Sequence, residues 1–121
     1  MRKFILYWLP PLLYCVLIFN LSGQSSVGVS HDKMAHIAAY AVMGFLFARA
    51  LRVQWNPSWA QLIFYSVLIS TLYGMSDEAH QYFVPGRHCS GWDLLADFVG
   101  ASLGGFAYVL SRRLPRLKSS N

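Results

Sequence analysis

Residues 92–110 read WDLLADFVGASLGGFAYVL, and this stretch decides the fold. It is apolar over close to the roughly 20 residues that a helix needs to cross a bilayer. Small residues at Ala96, Gly100 and Gly104 recur at every fourth position. That spacing makes a small-x-x-x-small seam, along which a second helix can approach closely. Asp93 and Asp97 are also four apart, so they share one helical face. Asp97 stands about one turn inside the apolar run, where an unpaired charge is costly. It must be paired, neutral or exposed to a wet cavity. One segment thus predicts a spanning helix, a close helix–helix contact and a polar site at its end.

Three further apolar runs cover residues 4–21, 34–51 and 59–75. A backbone in hydrocarbon must satisfy its own hydrogen bonds, which makes helices the expected form. The connections, at 22–33, 52–58 and 82–91, are short enough to make the helices antiparallel neighbours. The expected fold is all-α: an integral membrane bundle of four transmembrane helices forming a single domain over residues 1–121. Composition agrees, with 55% hydrophobic and only 12% charged residues. The formal charge of +5 resides in short clusters at apolar boundaries, which argues against nucleic acid. Cys15 lies in the first run and Cys89 in a polar connection, with no C-x-x-C spacing to suggest a disulfide framework or a thiolate zinc site.

Arg2-Lys3 before an apolar run could open a signal peptide. The run is longer than a usual signal core, carries Pro10-Pro11 and is followed by no small-residue cleavage site, so a retained, kinked helix is expected. Arg2, Lys3, Arg49, Arg52, Arg112, Arg113, Arg116 and Lys118 fall at one set of run ends. Asp32, Asp77, Glu78, Asp93 and Asp97, which are all five acids, fall at the other. By the positive-inside rule both termini are cytoplasmic and the acidic end is extracytoplasmic. The C-terminal basic cluster reads as a topology anchor touching anionic headgroups.

The acidic end collects the chemistry. Asp32, His36 and Tyr40 follow one another at intervals of four, as do Asp77 and Gln81, with His80 three beyond Asp77 and Glu78 on an adjacent face. Between the third and fourth runs, Pro85-Gly86 has the composition of a type II turn that would present Arg87 from a fixed backbone. Arginine recognises phosphate or carboxylate through its planar fork, and it can equally serve as counter-ion to Asp93 or Glu78. Asp32 and Asp93 could simply cap helices. His36 could be a structural histidine. Tyr40, Tyr73, Tyr82 and Trp92 suit packing or an interfacial aromatic belt.

Asp32-Lys33-x-x-His36-x-x-x-Tyr40-x-x-x-Gly44 resembles the first signature of the VanZ-like membrane proteins. Asp77-Glu78-x-x-Gln81-x-x-x-Pro85-Gly86-Arg87-x-x-Ser90-x-x-Asp93, with Gly100 beyond it, resembles the second. The resemblance covers residues 32–105 and implies a small multi-pass cell-envelope protein. It departs at Asp97, where the family usually carries asparagine.

Three functional readings follow. The first is a binding protein of the cell membrane whose ligand residues are Asp32, Lys33, His36, Tyr40, Asp77, Glu78, Gln81, Arg87, Ser90, Asp93 and Asp97. Its ligand is an anionic envelope lipid or cell-wall precursor, held through its anion by Arg87 and Lys33. The second is a hydrolase or transferase acting on a lipid-linked substrate, with Asp77, Glu78, His36 and His80 as catalytic candidates. No cofactor is required, although carboxylates with few imidazoles would suit magnesium, manganese or calcium better than zinc. In the third, the cluster only ties helices together. Membrane lipids are the expected partners in every case.

Overall fold

The computed structural model describes residues 1–22, 33–83 and 91–119. Four helices account for nearly all of them: α1 (Arg2–Ser22), α2 (Lys33–Trp55), α3 (Trp59–Tyr82) and α4 (Gly91–Ser119). There is no strand among the described residues. α1 is a continuous helix with Pro10 and Pro11 inside it. α3 runs seven residues beyond the expected end at Met75, so Asp77, Glu78 and Gln81 are carried on helix.

Small residues set the packing. α2 and α4 share the largest interface, and their backbones touch along the seam. A methyl group added to Gly104 would lie 1.9 Å from the Ala41 carbonyl oxygen. One on Gly100 would lie 2.3 Å from that of Ile37, and one on Gly44 2.4 Å from that of Ala101. No side chain fits at these positions. α3 packs across α4 and α2, while α1 leans on α2 and barely reaches α3. Two apolar clusters fill the bundle: Ala48, Leu51, Leu62, Tyr108 and Val109 in one, Tyr40, Met43 and Phe47 in the other. Trp8 of α1 packs against both.

The outer surface is apolar on every helix, including Leu13 and Leu17 of α1, Phe64 and Leu72 of α3, and Leu103 and Phe106 of α4. Exposed apolar surface on this scale marks a membrane contact. Four spans were expected, yet three helical stretches are long and apolar enough among the described residues: Arg2–Leu21, Met34–Trp55 and Gly91–Leu114. α3 falls short because its buried side is polar, with Ser66, Ser70, Asp77, Glu78 and Gln81 all turned inward.

The α2–α3 connection is tightly specified. Asn56 adopts a left-handed conformation (φ 50°), which asparagine tolerates better than most residues, and its N–H donates to the Arg52 carbonyl at 3.0 Å. Ser58 then caps α3 in a reciprocal box: Gln61 N–H donates to Ser58 Oγ, and Ser58 N–H to Gln61 Oε1, each at 3.2 Å. The sequence Ser58-Trp59-Ala60-Gln61 carries that signature in plain form.

Candidate functional site

Three helices deliver polar side chains to one end of the bundle. α2 contributes His36 one turn from its start, and α4 contributes Asp97 at the equivalent depth. Their side chains meet, with His36 Nδ1 2.9 Å from Asp97 Oδ1. The glycine seam makes this possible, because Gly100, one turn below Asp97, lets α4 settle onto the backbone at Ile37, next to His36. Asp97 is 1% exposed, so its carboxylate relies on this partner rather than on water.

α3 closes the other side through Gly74. A methyl group there would lie 3.0 Å from Asp97 Oδ2 and 3.3 Å from the Tyr40 ring. The missing side chain is thus what admits Asp97 and Tyr40 against α3. One turn on, Gln81 Nε2 donates to Asp77 Oδ2 at 3.3 Å within the helix. Asp77, Glu78, Gln81 and Asp93 are all buried. Asp97, Asp93 and Glu78 act electrostatically on the His36 ring, and Asp97, Asp77 and Glu78 on the Tyr40 hydroxyl. That hydroxyl is buried and has no hydrogen-bond partner among the described residues.

Of the residues singled out in the sequence, His36, Tyr40, Asp77, Glu78, Gln81, Asp93 and Asp97 come together here. Glu78 was expected on a face adjacent to Asp77. Both are buried, because α3 has neighbours around a wide arc. His80 goes elsewhere, turning toward α1 and stacking on Phe19 with ring centroids 4.1 Å apart. Asp32, Arg87 and Ser90 lie outside the described residues, as does the side chain of Lys33.

Sequence reasoning missed Gly74 and the part played by α1. Tyr14 donates to the Ala39 carbonyl at 2.6 Å, and Tyr73 donates to the Cys15 carbonyl, so two tyrosines clasp α1 beside the site. Gly74, an isolated glycine three residues before Asp77 in an apolar helix, was the available signal.

Chemically the cluster is an acceptor-rich site. A histidine held at Nδ1 by a carboxylate is oriented so that Nε2 can take or give a proton. Buried carboxylates and the Gln81 carbonyl can accept from hydroxyl, amide or ammonium groups. Among the described residues no group of three or more His, Cys, Asp or Glu side chains is arranged to hold a metal ion.

The family model described as VanZ/LLP1 matches residues 5–112. No curated protein and no solved structure matches the chain.

Proposed function

The chain belongs to the VanZ/LLP1 family of membrane proteins, and on that premise we propose that its acidic end binds an anionic cell-envelope lipid or cell-wall precursor. The observation that carries the reading is the junction of half-buried His36 with buried Asp97, beside the buried Tyr40 hydroxyl that has no hydrogen-bond partner among the described residues. Ionisable groups held within a membrane bundle are expensive, and function is the usual reason for keeping them. The ligand presents an anion to Arg87 and Lys33, with hydroxyl or amide donors for the carboxylates.

In this reading all four helices span the cell membrane, and both termini are cytoplasmic. α3 supports this by its inverted character, with Phe64, Leu68, Leu72 and Met75 outward and serines and carboxylates inward. Labelling intact cells with an impermeant thiol reagent should modify Cys89 and spare a cysteine placed at Ser120; the reverse pattern would overturn the orientation.

The binding reading is tested by native mass spectrometry of gently solubilised protein. Wild type should retain an envelope lipid, and Tyr40→Phe should lose most of it while keeping its thermal midpoint. Equal retention by both would remove Tyr40 from the site. A second reading, a hydrolase or transferase on a lipid-linked substrate, is favoured by the oriented His36–Asp97 pair. It requires turnover that His36→Gln abolishes, whereas binding alone predicts ligand-dependent stabilisation with no product.

A further inference from the structure

The opposite end of the bundle holds a cavity of about 420 Å³, lined by Arg52, Val53, Asn56, Trp59, Tyr108, Ser111 and Arg112. Its volume falls within the range of about 300–1,000 Å³ typical of small-molecule sites. Arg52 places its guanidinium carbon 4.0 Å from the centre of the Trp59 ring and donates from Nη1 to the Pro57 carbonyl at 2.5 Å. Arg112 donates from Nε to the Tyr108 hydroxyl at 3.3 Å. Two guanidiniums from different helices therefore face one cavity, each steered by an aromatic side chain. Among the described residues no carboxylate accompanies them, since Asp77, Glu78, Asp93 and Asp97 all belong to the other end.

The wall of the cavity is preorganised. Asn56, which lines it, sits in the left-handed region, and the Ser58–Gln61 capping box fixes the start of α3 just before Trp59. Arg52 and Arg112 stand near the ends of the stretches Met34–Trp55 and Gly91–Leu114, so a bilayer crossed by these stretches would bring its phosphates to their level. Each guanidinium can bind phosphate through two parallel N–H bonds. The volume leaves room for organic atoms beyond the phosphate.

We propose that this cavity is a specific binding site for a phosphate ester, with Arg52 and Arg112 clamping the phosphate and Trp59 forming the wall behind it. The ester is either a phospholipid headgroup or a soluble phosphorylated molecule. This site is independent of the one at the acidic end and goes beyond the anchoring role that the sequence suggests for Arg112.

The full-length protein in dodecyl maltoside, a detergent without phosphate, is titrated by calorimetry with glycerol 3-phosphate. In parallel, the protein in phosphatidylcholine nanodiscs doped with phosphatidylglycerol is analysed by native mass spectrometry for retained anionic lipid. Saturable binding in the first arm identifies a soluble ester, and stoichiometric retention in the second alone identifies a headgroup. Arg112 is exposed, so Arg112→Gln should fold normally, and it should weaken the positive arm at least tenfold. Arg113→Gln, one residue along and outside the cavity lining, should change it less than twofold. Equal losses in both variants would mean diffuse surface charge, and no saturable binding in either arm would mean no site; either result overturns the proposal.

Discussion

The two ends of the bundle accommodate charge by opposite means. At the acidic end, carboxylates are buried and meet polar partners, His36 on Asp97 and Gln81 on Asp77. At the basic end, arginines stay near the surface and meet aromatic rings. Arg49 lies over Tyr7 at 4.5 Å, Arg52 over Trp59 at 4.0 Å and Arg112 over Tyr108 at 5.7 Å. The difference follows from side-chain chemistry. A guanidinium is weakly hydrated and can lie on a ring while still reaching water, whereas a carboxylate has no such option and must find donors. Asp97 and Asp77 are thus held by side-chain donors, and the basic end is left with donors to spare.

If that contrast holds, the largest loss should come from stranding a buried charge. His36→Ala removes the partner of Asp97 and should lower stability by about 3 kcal/mol, read from thermal unfolding in a mild detergent. Asp97→Asn keeps a hydrogen-bonding group of the same shape, so its cost should be about 1 kcal/mol. A larger loss for Asp97→Asn than for His36→Ala would show that the charge, and not the hydrogen bond, holds the helices. Arg52→Ala removes a ring contact and a bond to the Pro57 carbonyl, for about 1 kcal/mol. Arg112→Gln should be smallest, within about 0.5 kcal/mol, as usual for an exposed position. Salt offers an independent check: 0.5 M sodium chloride should leave both the His36→Ala and the Arg52→Ala differences nearly unchanged, because the first concerns a buried pair and the second an arginine whose partners, a ring and a carbonyl, carry no net charge.

Much of this was legible because membrane helices carry their instructions openly. Four helices, the small-residue seam and the gathering of acids at one end follow from hydropathy, fourfold spacing and charge placement. Individual partners were not legible, because they depend on helix rotation. His80 sits three residues from Asp77, yet the turn of α3 sends it to Phe19. Asp97 could have paired with several cations, and Gly74 decides its surroundings by having no side chain. The cavity at the basic end was hidden for a related reason. Arg52, Trp59 and Arg112 are ordinary boundary residues taken singly, and only the crossing of α2, α3 and α4 brings them around one space.

The seam between α2 and α4 also limits how the protein can move. Its close approaches are to backbone carbonyls at Ile37, Ala41 and Ala101, which cannot swing aside as a side chain does. Sliding or rotating one helix on the other would drive peptide groups together, so α2 and α4 travel as one rigid body. α3 is held differently, since the close approaches at Gly74 and Gly105 are to the side chains of Asp97, Tyr40 and Ser66 and not to backbone carbonyls. Any opening of the acidic end is therefore a displacement of α3, with α1 free to follow through its tyrosine clasps. Asp77 and Glu78 ride on the moving part, while the His36–Asp97 pair keeps its length.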